Sequence, residues 1–129
     1  MAYVIACLAA AGAFLLNRLL LERLGAKVIV TVSPLVEETL KTLPAFYAAA
    51  DILSCHLGFG VIEAVYDWRQ SRNNAAAAAL MSVAGHGLFG LVTLVCAGPA
   101  GIYVGLAAGM IAHLLWNTIL LRWTAGKVE

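Results

Sequence analysis

Five long apolar runs, separated by short polar connections, dominate the pattern of this chain. The runs cover approximately residues 2–21, 28–50, 52–69, 75–97 and 100–122. A helix that crosses a bilayer needs about 20 mostly apolar residues, and these runs approach or reach that length. The pattern predicts an all-α membrane bundle of about five transmembrane helices, which forms a single integral membrane domain over residues 1–129.

The second apolar run is expected to be broken near residues 33–34. Residues 28–32 are largely β-branched, and Ser33-Pro34 is typical of a helix start, with a capping hydroxyl before a proline in the first turn. Pro44 predicts a kink farther along the same run. Because a broken segment at membrane depth is tolerated where it lines a cavity, this run predicts a cavity wall.

The composition indicates the lipid bilayer as a partner and argues against nucleic acid. Hydrophobic residues make up 63% of the chain and charged residues 12%, whereas soluble domains carry about 25% charged residues. The net charge is +1 and no basic cluster is present, which excludes a nucleic-acid-binding surface. The three cysteines lie in separate apolar runs without disulfide or metal spacing, so they are expected to be packing residues.

Basic residues mark alternate connections between the runs and thereby predict the orientation. They occur in the first connection, in the third and after the last run, at Arg18, Arg23, Lys27, Arg69, Arg72, Arg122 and Lys127. The second and fourth connections contain none. The positive-inside rule then predicts an N-terminus outside and a cytosolic C-terminus. Separately, we expect the prokaryotic cytoplasmic membrane as the location.

Two adjacent carboxylates and an ammonium interrupt the second apolar run, at Glu37, Glu38 and Lys41. Ionisable groups at membrane depth are costly and usually face a bundle interior or a water-filled cavity. A structural ion pair with Lys41 at i+3 or i+4 is one interpretation. Two acids and one base leave one carboxylate without a cation, however, and this favours acid–base chemistry or metal binding.

Polar residues of four runs are expected to reach one layer of the membrane. Counting about 1.5 Å per helical residue from the basic ends, we expect depths of roughly 15 Å for Glu37, 9 Å for Glu63, 16 Å for His86, 14 Å for His113 and 8 Å for Asn117. The hydrocarbon core is about 30 Å thick. The similar depths predict one shared site between the middle of the bilayer and its cytosolic side.

A row of glycines in the last run leads to two of these residues. Gly101, Gly105 and Gly109 precede His113 and Asn117 at a constant spacing of four. Residues at this spacing share one helix face, and small residues on that face allow a second helix to approach closely. The row predicts close helix packing, and it also leaves self-association into a homo-oligomer open.

Other interpretations of the same residues remain open. Taken singly, His86 and His113 are as often packing residues as functional ones, and Asn117 is often an interhelical hydrogen-bonding residue. His56 lies closer to the outside than Glu63, so we expect it to be structural. A bundle with buried acids and histidines could also be a proton or ion conductor or a scaffold, although the chain lacks the internal repeats of many transporters.

Four short segments on successive runs together resemble a known family. They are SPLVEETLK at 33–41, GFGVIE at 58–63, GHGLF at 85–89 and AHLLWN at 112–117. The pattern resembles the PrsW family of intramembrane proteases, within the wider clan of CAAX-processing and bacteriocin-immunity (CPBP) proteases; a YhfC-like member of that clan is an alternative. The resemblance covers residues 30–120, the expected catalytic core. Family members are commonly longer and often have asparagine where this chain has Ala64.

The resemblance implies a glutamic-type intramembrane endopeptidase that needs no cofactor. Glu37 would be the general base that activates water, and Glu38 would position the water or hold Lys41. His86 and Glu63 would orient the water or shuttle its proton. The implied substrate is a membrane-anchored protein or peptide, with anti-sigma factors as one example.

The same resemblance assigns the last run and one aromatic residue to the site. His113 and Asn117 would stabilise the developing oxyanion, while Lys41 and Phe59 would support the site.

A zinc-dependent version of the enzyme is the chemical alternative. Glu37, Glu63, His86 and His113 would then bind Zn²⁺ and leave one position for water. The chain lacks the compact H-E-x-x-H helix of soluble zinc proteases, so the metal-free version is preferred.

Overall fold

The computed structural model describes residues 1–25, 30–71 and 74–125, and it arranges them as a bundle of helices. The helices are α1 (Ala2–Leu24), α2 (Ser33–Tyr47), α3 (Ile52–Gln70), α4 (Ala75–Ala100) and α5 (Ile102–Ala125). No strand occurs in these ranges. The all-α fold class predicted from the apolar runs is therefore confirmed.

Two glycines end helices in the left-handed conformation that favours this residue. A glycine after the polar end of the first run predicts a helix cap, and Gly25 does follow α1, with φ 76° and its N–H donating to the carbonyl of Leu21. Gly101 separates α4 from α5 with φ 87°. The Gly98-Pro99 pair in the sequence predicts a tight turn, but this prediction is wrong, because Pro99 lies in the last turn of α4 and Gly101 supplies the positive φ.

The start of α2 differs from its prediction in one respect. Pro34 occupies the first turn as expected, but the N-cap is Val32, and Ser33 is the first helical residue. Residues 30 and 31 are already helical, and Val32 enters α2 with φ −98° and ψ −36°. A capping side chain needs an extended backbone at its own residue, so Ser33 does not cap this helix.

The other end of α2 comes earlier than expected. The helix ends at Tyr47, one turn after Pro44, rather than near Ala50. Ala49 follows with φ 50°, in a turn that leads into α3. The expected beginning of the second run at residue 28, like Lys27, lies outside the described residues.

Three of the described helices, α1, α4 and α5, are long and apolar enough to cross a membrane. The remaining two are shorter or more charged: α2 has 15 residues and contains Glu37, Glu38 and Lys41, and α3 contains Glu63, Asp67 and Arg69. The three apolar helices are consistent with a membrane protein. The count of five spans and the orientation stay predictions.

The distribution of side chains also suits a lipid environment. Large apolar side chains such as Leu15, Val95 and Ile119 are exposed on the outside of the bundle. Charged and polar side chains, among them Glu38 and Lys41, are fully buried inside it. The bundle thus has an apolar exterior and a polar interior, as expected when ionisable groups avoid the hydrocarbon.

Helix α4 packs between α3 and α5, and the glycine row explains how closely α5 approaches it. A Cβ atom at Gly105 would overlap the backbone of Thr93, and one at Gly109 would overlap the Thr93 side chain. The predicted close approach is therefore confirmed. By contrast, α1 packs against α2 and α3, but within the described ranges it does not contact α4 or α5.

A compact apolar cluster fills the end of the bundle where α1, α3 and α5 begin. We call it the end cluster; it consists of Ile5, Ala6, Ala45, Ile52, Cys55 and Ile102. Ala45 and Cys55 have no exposed surface. The polar site lies between this cluster and the opposite end of the bundle.

Candidate active site

A cavity of about 1060 Å³ lies between α1 and the other four helices. Its wall includes the predicted site residues Glu37, Glu63, His86, His113 and Asn117, which come from α2, α3, α4 and α5. The structure therefore brings these side chains to one place. Their catalytic roles remain predictions.

Lys41 is the central cation of the site. Its Nζ lies 2.7 Å from Oε1 of Glu38 and 2.7 Å from Nδ1 of His86. It also lies 4.5 Å from the centre of the Phe59 ring. Since an ammonium carries only donors, Lys41 donates to both the carboxylate and the imidazole. It thereby links α2 to α4, and the Phe59 ring of α3 lies next to the ammonium.

The proton on His86 follows from this contact. Because Nδ1 accepts from Lys41, the neutral ring carries its proton on Nε2 and donates it to Oε2 of Glu63. Ser82 donates to the same oxygen over 2.8 Å. Gly60 allows α3 to lie against the imidazole, since a Cβ there would be 3.0 Å from the Cβ of His86. Lys41, His86 and Glu63 thus form one hydrogen-bonded chain.

His113 connects the two adjacent carboxylates of α2. Its Nδ1 donates to Oε1 of Glu38 over 2.9 Å, and its Nε2 lies 4.0 Å from Oε2 of Glu37. The ring stacks on Phe89, with the ring centres 4.3 Å apart. A neutral His113 that donates from Nδ1 keeps a lone pair on Nε2, so an acceptor faces Glu37.

Within the described ranges, Glu37 has no close cation. Its Oε1 accepts from Nδ2 of Asn17 over 3.0 Å. Its Oε2 has no hydrogen-bond partner among the described residues, although the side chain is only 8% exposed. Lys41 pairs with Glu38 instead. Glu37 therefore presents a buried, available oxygen to the cavity.

Asn117 lies one helical turn beyond His113 on α5 and lines the same cavity. It is half-buried. The amide thus reaches the cavity from the same helix face as the imidazole, as the spacing of four predicts.

His56 is closer to the site than its sequence position led us to expect. It is fully buried, its Nε2 lies 3.1 Å from Oγ1 of Thr42, and its Nδ1 lies 3.6 Å from Oε2 of Glu38. His56 is therefore packed directly behind Glu38. The sequence did indicate this position, because His56, Phe59 and Glu63 share one face of α3 at spacings of three and four.

Sequence reasoning also missed two hydrogen-bonding residues. Asn17 had been assigned to the end of the first run, and no local spacing links it to Glu37 twenty residues later. Ser82 precedes His86 by four residues, so its place on the same face of α4 could have been recognised.

Three of the side chains form a possible metal-binding group. One ligand atom each from Glu37, His86 and His113 lies within 4.8 Å of the others. A histidine nitrogen that binds zinc must be unprotonated, whereas the contact of His86 with Lys41 places a proton on Nε2. His86 would fit as a ligand only after Lys41 lost a proton or the ring turned, so the hydrogen bonds fit the metal-free site better.

Comparisons of the chain with protein-family models, with curated proteins and with solved structures gave no match. The likeness to the PrsW family is therefore a likeness of four short motifs. Function must be inferred from the chemistry of the site.

Proposed function

We propose that this protein is an intramembrane endopeptidase in which Glu37 activates a water molecule without a metal. One observation carries the proposal. The available Oε2 of Glu37 faces Nε2 of His113 across 4.0 Å, at the wall of a cavity of about 1060 Å³. A buried carboxylate next to an imidazole, inside a cavity large enough for a ligand, suits general base catalysis.

The spacing of these two atoms suits one bound water. Atoms 4.0 Å apart can both lie within hydrogen-bond distance, about 2.8 Å, of a common point. A water at that point donates one proton to Glu37 and the other to Nε2 of His113. As the water oxygen bonds to the substrate carbonyl carbon, Glu37 takes its proton.

Collapse of the tetrahedral intermediate breaks the bond from carbon to nitrogen. Glu37 returns its proton to the leaving nitrogen, which completes the hydrolysis. We assign stabilisation of the oxyanion to the amide of Asn117, which lines the same cavity. His113 thereby takes the role of orienting water rather than the oxyanion role implied by the resemblance, because its only proton is donated to Glu38.

The remaining charged residues hold this pair in place. Glu38 fixes the tautomer of His113, and Lys41 donates to the same oxygen of Glu38. His86 and Glu63 extend the chain of hydrogen bonds to α4 and α3. Such a network keeps dipoles oriented before the reaction, which is the usual source of electrostatic stabilisation in enzymes.

A cleavage assay tests the proposal. The wild-type protein and Glu37→Gln would be reconstituted into liposomes with a library of single-span peptides, and the products identified by mass spectrometry. Because a general base contributes about 10²–10⁴-fold, we expect Glu37→Gln to lower the rate by about 10³-fold. The matched control is Glu22→Gln, which removes an exposed carboxylate on α1. Equal rates for wild type and Glu37→Gln would overturn the proposal.

Zinc-dependent cleavage is a second candidate, favoured by the proximity of Glu37, His86 and His113. If these side chains bind Zn²⁺, chelators abolish cleavage and added zinc restores it. The metal-free proposal predicts that the rate is unchanged after prolonged dialysis against a chelator.

Proton conduction is the candidate from another class, favoured by the hydrogen-bonded chain from Lys41 through His86 to Glu63. A conducting path needs polar groups toward both ends of the bundle, but the end cluster fills one of them with apolar side chains. We therefore expect no proton flux through liposomes that contain the protein. Flux that disappears in Glu63→Gln, without peptide cleavage, would favour conduction instead.

A further inference from the structure

The cavity that Glu37 lines extends toward one end of the bundle. Its wall continues from the site to Arg18, Asp67, Ser71 and Asn74. These residues come from the last part of α1, the end of α3 and the residues that precede α4. They therefore lie at the same end of the bundle. We call it the basic end, because the connections there contain the basic residues.

The opposite end of the site is closed by packing. Cys55, Ala45 and Ile52 of the end cluster lie beyond His56 and Thr42 on that side. Ala45, Cys55, His56 and Thr42 have no exposed surface. A peptide could not reach Glu37 from there without separating α1, α2, α3 and α5.

The walls of the cavity combine apolar and polar side chains. Phe14 and Leu21 of α1 face Trp116 and Leu120 of α5 across the cleft that results because these two helices do not pack together. Such walls suit apolar side chains. Polar and charged side chains, among them Arg18, line the same cavity near the basic end, and these suit a chain that is leaving the hydrocarbon for water.

The site lies at different depths along the individual helices. Glu37 is four residues into α2, about 6 Å from its first residue, and Glu63 is seven residues from the end of α3, about 10 Å, whereas His86 is eleven residues into α4, about 16 Å. The cavity therefore connects the basic end with side chains near the middle of a hydrocarbon core about 30 Å thick.

We propose that the site is reached from the basic end alone, through the cleft between α1 and the pair α4–α5. The substrate class is an extended peptide segment that emerges from the membrane at this face, with apolar side chains against α1 and α5. The positive-inside rule identifies this face as cytosolic. The statement about substrate depends on the proposed function, whereas the route of access does not.

Cysteine labelling tests the route without requiring activity. Cys7 and Cys96 would be replaced by alanine, while the fully buried Cys55 stays. Ser33→Cys places a thiol at a buried, cavity-lining position one turn from Glu37, and Ala78→Cys places one on the same cavity wall in the first turn of α4. Ala100→Cys, at the exposed end of α4 on the opposite side, is the matched control.

A charged thiol reagent that does not cross membranes would be added to vesicles of either orientation. We expect Ser33→Cys and Ala78→Cys to react only when the basic end faces the reagent, and Ala100→Cys only in the other orientation. Reaction of Ser33→Cys from the Ala100 side would overturn the proposed route. So would an unreactive Ser33→Cys in vesicles where Ala78→Cys is labelled.

A peptide-cleavage experiment on the same labelled variants distinguishes the access route from the proposed peptidase activity. A bulky reagent on Ala78→Cys is expected to reduce peptide cleavage at least tenfold, whereas the same reagent on Ala100→Cys leaves the rate unchanged. Unchanged cleavage after full labelling of Ala78→Cys would overturn entry through this cleft. If the labelling pattern is as expected but the wild-type protein cleaves no peptide, the access route stands and the peptidase proposal fails.

Discussion

At the scale of single residues, the two adjacent glutamates differ in their partners, and only Glu37 lines the cavity. Glu38 accepts from both Lys41 and His113 through the same oxygen. Glu37 instead receives one neutral hydrogen bond, from Asn17. The same pair of adjacent glutamates thus supplies a structural anion and a candidate base.

Replacing Lys41 should destabilise the bundle strongly. Lys41→Met would leave Glu38 buried without its cation, and breaking a buried ion pair in this way costs about 3–5 kcal/mol of unfolding free energy. The measurement is unfolding in detergent micelles, monitored by circular dichroism. Arg18→Met is the matched control, because its ion pair with Glu22 is exposed and should contribute little. A Lys41→Met protein as stable as the control would show that this pair does not hold α2 in place.

Spacing along the sequence was informative about residues within one helix, and less so between helices. Counting from the basic ends placed Glu37, Glu63, His86 and His113 in one layer, and the structure has them around one cavity. Asn17 was missed because its contact with Glu37 depends on how α1 lies against α2. Such long-range contacts leave no periodic signal in the sequence.

At the scale of helices, the approach of α5 to α4 determines where His113 lies. Gly105 and Gly109 provide the space for this approach, since the backbone or side chain of Thr93 occupies the position of each absent Cβ. His113 follows one turn after Gly109 on the same face. Close packing of these helices therefore brings the imidazole to Glu38.

A methyl group at Gly105 should separate the two helices. Gly105→Ala would press its Cβ against the carbonyl of Thr93 and the backbone of Ala97, and overpacking of this kind costs about 1–3 kcal/mol. Thermal unfolding in detergent would report the loss. The control is Gly98→Ala in α4, where nothing lies within 4 Å of the new Cβ; that protein should be at least as stable as wild type, because alanine favours a helix more than glycine does. Similar unfolding temperatures for the two variants would contradict the packing account.

The cap of α3 should make stability depend on pH. Asp51 accepts from the backbone N–H of Ser54 over 2.6 Å, and hydrogen bonds from Ser54 lower the pKa of Asp51. Since the folded pKa is depressed, the stabilisation is present above the unfolded value of about 3.9 and is lost as the pH falls through the folded pKa.

Two variants separate the cap from its titration. Asp51→Ala should cost about 1 kcal/mol at neutral pH. Asp51→Asn keeps a capping oxygen that does not titrate, so it should unfold at a midpoint less sensitive to acid than wild type. Unfolding curves between pH 3 and pH 7 provide the comparison. Identical acid sensitivity in wild type and Asp51→Asn would contradict this role of the cap.

The end of a helix was predictable where a single residue determines it, as Gly25 does for α1. It was less predictable where the conformation of the preceding backbone determines where the helix begins. Ser33 looked like a cap, but the helical conformation of residues 30 and 31 places it inside the helix. Pro99 suggested a turn, but α4 continues past this residue and ends at Gly101, which has a positive φ.

At the scale of the whole molecule, apolar content predicted the fold class and an apolar exterior, which the exposed Leu15, Val95 and Ile119 illustrate. The number of membrane-spanning helices is harder to predict from hydropathy. Helices α2 and α3 carry the charged residues of the site and so lack the apolar character of α1, α4 and α5. A site built from ionisable groups thus weakens the hydropathy signal of the helices that hold it.

The central claim is that Glu37 activates water at a site shared by four helices. Its most direct test is peptide hydrolysis in ¹⁸O-labelled water by wild type and by Glu37→Gln, with mass spectrometry of the new carboxyl group. The account predicts that wild type incorporates one ¹⁸O atom at a single cleavage site, and that Glu37→Gln yields almost no product. Labelled product formed at the wild-type rate by Glu37→Gln would contradict it.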